Sequence, residues 1–187
     1  MKLQYIPGMR HKFSNIFLIG PMGSGKNTLG KQLSLLSGLQ LYDSDSEIEQ
    51  QTGVPISWIF EQEGEAGFRR RENEAILRLT KLQHIILATG GGCVVTPSNA
   101  TALEKNGVVI HLQVSLAIQI ERIASQKTKR PLFSANSSSE KLAALNKVRE
   151  PLYQAIADFT YNTDHISPYV LAKQILQDWG QLKIENK

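Results

Sequence analysis

A single cysteine, Cys93, stands in the whole chain. No internal disulfide can form, which fits a reducing compartment and makes the cytoplasm the expected location. No apolar run approaches the roughly 20 residues needed to cross a bilayer, so no membrane partner is expected. The opening residues, Met1 to Gly8, lack the long apolar core of a secretory signal. Residues 1–13 are expected to form a short tail before the first strand. The histidines His11, His84, His111 and His165 are scattered without metal-ligand spacing, which argues against a zinc site. Basic charge is not gathered into a block either. The net charge of +4 is spread along the chain, with Lys127, Lys129 and Arg130 in one small group and Arg69, Arg70 and Arg71 in another. With no aromatic-basic pattern, no nucleic-acid partner is expected. Small phosphorylated or carboxylated ligands explain the modest excess equally well. Internal repeats and a second domain are also missing, and 187 residues suit one domain able to bury a proper core. No exposed apolar helix announces a partner, so a monomer is the default expectation.

What is present begins with Gly20-Pro21-Met22-Gly23-Ser24-Gly25-Lys26-Asn27-Thr28. The stretch follows the apolar run Asn15 to Ile19 and precedes a helical pattern carrying Leu29, Leu33, Leu35 and Leu36. Strand, glycine loop, helix is the setting that a G-x-x-x-x-G-K-[ST] phosphate loop requires. Loop amides and the helix N-terminus converge there on an anion, and Lys26 adds a mobile positive charge. Gly23, Ser24, Gly25, Lys26, Asn27 and Thr28 are therefore the candidate nucleotide-binding residues. One position departs from the pattern: Asn27 stands where Ser or Thr would meet a magnesium ion.

Apolar, β-branched runs recur at 15–19, 39–42, 84–88, 108–112 and 158–162. Helical patterns fill 26–37, about 45–51, 56–62, 65–82, 98–105, 115–125, 139–156 and 167–179. This alternation predicts an α/β fold with a parallel five-stranded sheet and helices on both faces. Ligands in such folds sit beyond the carboxyl ends of the strands. Gly20–Thr28, Asp43 and Asp45, and Gly90-Gly91-Gly92 all fall there. Residues 126–138 are polar and aperiodic, and Pro131 argues against a helix through them. A basic, serine-containing loop in a phosphate-binding domain is a candidate lid.

Asp43-Ser44-Asp45 ends the second strand. One carboxylate could hold a magnesium water shell and the other an acceptor hydroxyl; helix capping is the plainer use of such residues. In Glu65-Ala66-Gly67-Phe68-Arg69-Arg70-Arg71-Glu72, the spacing puts Glu65, Arg69 and Glu72 on one helical side. Arg70 and Arg71 read as a solvated salt-bridge face. Cys93 has no base paired with it in sequence and reads as a small packing residue.

Six motifs in order, Gly20–Thr28, Asp43-Ser44-Asp45, Phe68-Arg69, Gly90-Gly91-Gly92, Arg130-Pro131-Leu132 and Arg149-Glu150-Pro151-Leu152-Tyr153, together resemble the shikimate kinases. The likeness runs from about Asn15 to Gln177. It implies a P-loop three-layer fold of the nucleoside monophosphate kinase kind, and ATP-dependent phosphorylation of the shikimate 3-hydroxyl with Mg2+. Within that resemblance Lys26, Asp45 and Arg130 are catalytic. Lys26 and the loop amides hold the ATP phosphates, and Arg130 closes with the lid over the transferring group. Asn27 and Asp43 support the metal. Asp45, Arg69, Gly91, Gly92 and Arg149 bind shikimate, with the two arginines on its carboxylate. Glu72 positions neighbouring groups, Phe60 and Phe68 wall the pocket, and Arg122 and the loop Thr163-Asp164-His165 lie near adenine. Two other readings remain open: a gluconate-type kinase sharing the loop and lid, and a nucleotide-binding regulator without catalysis, which Asn27 alone would support.

Overall fold

Ile16-Phe17-Leu18-Ile19 is apolar at every position, a pattern that suits a strand covered on both faces. It forms β1, and all four residues are fully buried. The computed structural model describes residues 14–125 and 139–185. The expected tail (1–13) and the expected lid (126–138, Arg130 included) lie outside the described residues. Four further strands follow: β2 (Gln40–Asp43), β3 (Ile85–Ala88), β4 (Val108–Gln113) and β5 (Phe159–Asn162). They pair in the order β2-β3-β1-β4-β5, every pair parallel. The outer strands β2 and β5 are the partly exposed ones, as edge strands are.

Successive side chains of a strand point to opposite faces, and the core divides accordingly. Ile16 and Leu18, with Ile86, Ile110 and Leu112, meet α1 (Lys26–Ser37) and α7 (Pro168–Glu185) through Leu29, Leu33, Leu171 and Ile175. Phe17 and Ile19, with Leu87 and Val109, meet α3 (Ile56–Leu79), α4 (Pro97–Asn106) and α6 (Ser139–Ile156) through Ile76, Leu79, Leu103 and Tyr153. The three-layer arrangement read from the sequence is the one observed. A smaller cluster of Ile48, Ile59, Phe68 and Ala75 joins α2 (Ser44–Thr52) to α3. The remaining helix, α5, spans Leu116–Ser125.

Gly64 interrupts α3 with φ 66° and ψ −173°. That conformation is open to glycine and strained for other residues, so the helix turns there and its second half, with Arg69 and Glu72, is aimed separately. The gap between the patterns at 56–62 and 65–82 anticipates this break. α7 runs on to Glu185, past the expected end at 179.

Two opposite ends of the sheet are built differently. At the amino ends of the strands, the fully buried Asn15 donates from Nδ2 to the carbonyls of Leu82 (2.8 Å) and Asn106 (3.0 Å). Its Oδ1 accepts from the Ile85 amide at 3.1 Å, and its own carbonyl accepts from Val108 N at 3.0 Å. One residue thus ties together the starts of β1, β3 and β4. At the carboxyl ends, β1 lies between β3 and β4, where the chain's crossovers diverge to either side. A crevice opens at such a switch point, and the loop after β1 occupies it.

Candidate active site

The loop from Gly20 to Gly25 turns on three glycines with φ of 138°, 78° and 91° at Gly20, Gly23 and Gly25. Gly20 also has no room for a side chain, since a Cβ there would lie 2.4 Å from the Leu112 carbonyl oxygen of β4. Gly25 leads into α1 without a side-chain cap, and the first turn of α1 carries no acidic residue. Its amides and their partial positive charge are left for an anion. Lys26 is 8% exposed and folds over the loop, donating from Nζ to the carbonyls of Gly20 (2.7 Å) and Pro21 (2.8 Å) and to Ser24 Oγ (3.3 Å). Asn27 and Thr28 stand exposed on the same turn.

Asp43-Ser44-Asp45 is a strand-to-helix turn, and its three side chains diverge. Asp43 caps α2, its Oδ1 accepting from the Ser46 amide at 2.8 Å. The cap uses Oδ1 alone among the described bonds. Ser44 is fully buried and its Oγ accepts from the Gly90 amide at 2.9 Å. Asp45 turns inward, with Oδ1 shut off from solvent. A Cβ on Gly90 would lie 2.8 Å from that oxygen and 3.1 Å from Glu72 Oε1. The two carboxylates therefore sit together under the backbone of Gly90.

Glu72 is the buried centre of this side. Its Oε2 accepts from Arg69 Nη1 at 2.7 Å, while Oε1 has no hydrogen-bond partner among the described residues. Burial pushes the Glu72 carboxyl above its ordinary value; Asp45 adds to the shift, and Arg69 and Arg149 oppose it. Arg69 also bonds Glu65 at 3.0 Å and lies over the Phe68 ring, 5.3 Å from the centroid. Burial works against its charge, but Glu72 and Glu65 outweigh that and hold the guanidinium even more firmly protonated than usual. Phe68 stacks on Phe60 at 4.8 Å between centroids. Arg71 and Arg70, by contrast, turn to Glu63 at 2.6 and 3.9 Å near the surface, the outward salt-bridge face expected of them.

Gly90-Gly91-Gly92 joins the two sides. Gly91 packs on the phosphate loop, where a Cβ would lie 3.2 Å from Met22 N. Its carbonyl accepts from the Tyr153 hydroxyl and, at 3.5 Å, from Arg149 Nη1. Gly92 faces Arg69, whose Nη2 and Nη1 would be 2.5 and 2.6 Å from a Cβ. Cys93 follows, fully buried, and burial holds its thiol well above the ordinary value. It is a packing residue, as expected.

Arg122 reaches across from α5. It donates from Nη1 to Gly23 O (3.2 Å) and Thr163 Oγ1 (3.0 Å), and from Nη2 to Thr163 O (2.5 Å) and Asp164 O (3.3 Å). The arginine and the loop Thr163-Asp164-His165, grouped from the sequence, are indeed side by side. The site residues named from the sequence come together at the carboxyl edge, Arg130 excepted because it falls outside the described residues. Sequence reasoning missed Ser44, whose bond to Gly90 is 46 residues away, and Gln119, whose amide reaches the phosphate loop. Ser44 stands inside the Asp43-Ser44-Asp45 motif, but nothing local marks its bond to Gly90, and nothing local marks Gln119.

A phosphate loop facing a pocket of two carboxylates and two arginines, with a glycine loop between, defines a P-loop kinase for a small anionic acceptor. The sequence profile of the shikimate kinase family matches residues 22–179. Shikimate kinase of Coxiella burnetii is 54% identical over 174 residues, 92% of this chain and 97% of that protein. That of Legionella pneumophila is 48% identical over 166 residues, 89% of this chain and 94% of the relative. The solved structure of shikimate kinase from Acinetobacter baumannii in complex with shikimate matches with a TM-score of 0.86 and 40% identity, over 95% of this chain and 99% of that one. The chain belongs to the shikimate kinase family, and its fold is the P-loop, nucleoside monophosphate kinase-like one.

Proposed function

We propose that this chain transfers the γ-phosphoryl group of ATP to the 3-hydroxyl of shikimate, giving 3-phosphoshikimate and ADP, in the pathway to the aromatic amino acids. The observation that carries the reading is the glycine loop, which seats the phosphate loop on Gly91 and the carboxylate–arginine pocket on Gly90 and Gly92. Donor and acceptor sites are thereby held side by side at one strand edge.

Each residue then has a task. The amides of Gly23 to Lys26 and the Lys26 ammonium take the β- and γ-phosphates. Arg69 and Arg149 take the acceptor carboxylate, which suits planar, permanently charged forks. Asp45 accepts the hydrogen bond of the 3-hydroxyl and draws its proton as that oxygen attacks phosphorus. The bond from the γ-phosphorus to the β–γ bridging oxygen breaks in line, and ADP leaves. Glu72 holds Arg69 in place. Arg122 and Thr163 flank the adenine, and Arg130 covers the transferring group. Positioning and electrostatics carry most of the work in such transfers.

The donor set suits a hard cation with few protein ligands. Asn27 offers an amide oxygen on the exposed first turn of α1, and Asp43 keeps one carboxylate oxygen out of its cap. Asn27 and Asp43 would hold Mg2+, which when bound neutralises charge on the β- and γ-phosphates. The protein is proposed to act as a cytoplasmic monomer.

A coupled ADP-release assay with ATP, Mg2+ and shikimate, and gluconate as control, tests the assignment. Shikimate-dependent turnover is expected. Turnover with gluconate and not with shikimate would replace the acceptor, and nucleotide binding without turnover at high Mg2+ would remove the kinase.

A further inference from the structure

Four carbonyls of the phosphate loop are held by side chains. Lys26, inside the loop's own motif, takes those of Gly20 and Pro21. Arg122 takes that of Gly23 at 3.2 Å. The fourth, Met22 O, accepts from Gln119 Nε2 at 2.8 Å. A trans peptide sends its carbonyl and the following N–H in opposite directions, and the described chain has no cis peptide. With Met22 O fixed on α5, the Gly23 amide must point away from α5 and into the loop.

Gln119 is suited to this and to little else. It is 1% exposed, and a buried amide is costly unless its polar ends are used. Both are used. While Nε2 reaches Met22, Oε1 accepts from Asn146 Nδ2 of α6 at 2.7 Å. That second bond leaves no ambiguity about which end donates to the loop, because a carbonyl needs a donor and the Asn146 amide needs an acceptor. The backbone of α5 supports the same contact: a Cβ at Gly23 would lie 3.3 Å from Gln119 O. The loop is packed closely against this turn of helix, so a side chain at Gly23 would press on it.

We infer that Gln119 is a positioning residue of the phosphate loop: it aims the Met22–Gly23 peptide so that the Gly23 amide meets the β-phosphate of the nucleotide, and Asn146 keeps it in the donating orientation. The inference rests on the reading of residues 20–28 as the nucleotide's phosphate loop.

The test compares ADP with AMP, which lacks the β-phosphate, by titration calorimetry on the full chain. Gln119→Met keeps the length and removes the donor. The ratio of ADP to AMP affinity should fall about five-fold in Gln119→Met, the loss of one ordinary hydrogen bond of about 1 kcal/mol. AMP affinity should stay within about two-fold, since the bond acts on the β-phosphate alone. Asn146→Ala should move the ratio in the same direction by less. Because the ratio is taken within one sample, any unfolded fraction cancels, which separates positioning from mere support of the fold. An unchanged ratio, or an equal loss of both nucleotides, would overturn the proposal. Equal affinity for ADP and AMP in the unsubstituted protein would overturn the phosphate-loop reading itself, and the proposal with it, before any variant is made.

Discussion

Replacing Gly92 by alanine isolates the grip of the glycine loop on Arg69. The backbone at Gly92, φ −101° and ψ 1°, is accessible to alanine, so strain in the main chain is not the issue. The added Cβ would meet Arg69 Nη2 and Nη1 at 2.5 and 2.6 Å and Cζ at 2.9 Å, all well inside contact distance. The guanidinium has to move, and moving breaks its 2.7 Å bond to Glu72. A hydrogen bond between charged groups contributes about 1.5–3 kcal/mol. Because the Arg69 side chain is 21% exposed and water recovers part of the loss, about 2 kcal/mol is the appropriate figure. If that grip sets the arginine for the acceptor carboxylate, KM for shikimate should rise about thirty-fold, at 1.4 kcal/mol per tenfold. KM for ATP should stay within about two-fold, because no atom of the phosphate loop is touched. Steady-state kinetics with each substrate varied in turn reads both. A double-mutant cycle closes the argument: with Arg69→Ala already made, Gly92→Ala should add almost nothing. A shikimate KM within about two-fold of the parent in Gly92→Ala, or full additivity in the cycle, would refute the claim that Gly92 is a glycine for the sake of Arg69.

Three further outcomes are expected. In a magnesium titration of activity, Asn27→Ser should lower the Mg2+ concentration needed for half-maximal rate; an unchanged profile would remove Asn27 from the metal site. Glu72 is held above its ordinary 4.5 by burial, so the folded state keeps the proton longer than the unfolded state. Stability should therefore fall as pH rises from 4.5 through the raised folded value, and urea unfolding of Glu72→Gln across that window should show a flatter decline. Gly107→Ala would bring a Cβ to 2.4 Å from Cε2 of the fully buried Phe17 while its extended backbone accepts alanine, so overpacking should cost about 1–3 kcal/mol in denaturant unfolding without changing ADP affinity.

The sheet was readable because its central strands are almost wholly apolar runs, and the gap between the helical patterns at 56–62 and 65–82 foreshadowed the turn within α3. The end of α7 was not readable. Trp179-Gly180 reads locally as a stop, yet Trp179 and Leu182 pack on the β1 face and carry the helix onward. At the candidate site, the residues whose spacing or motif speaks locally, Lys26, Asp45, Arg69 and the three glycines, lie together at the carboxyl edge. Asp43 proved to serve as an α2 cap, the ordinary use of an aspartate there, alongside whatever it does for a metal. The roles of Ser44, Gln119 and Asn146 were invisible because they rest on hydrogen bonds to residues more than twenty positions away, and such pairs leave no periodic trace. Arg122 was placed near the adenine by resemblance; its four bonds to Gly23, Thr163 and Asp164 add a bracing function that no motif conveys.

Asn15 divides the molecule by consequence. Its bonds gather the strands at the edge remote from every residue that would touch ATP or shikimate. A random-mutagenesis library should therefore separate into two spatial populations. Lesions near Asn15 would surface as lower yield and earlier melting with the surviving molecules kinetically normal, whereas lesions at the opposite rim would leave well-behaved protein with altered appetite for its substrates. Variation in acceptor preference can then accumulate on one edge while the other acts as an undisturbed hem.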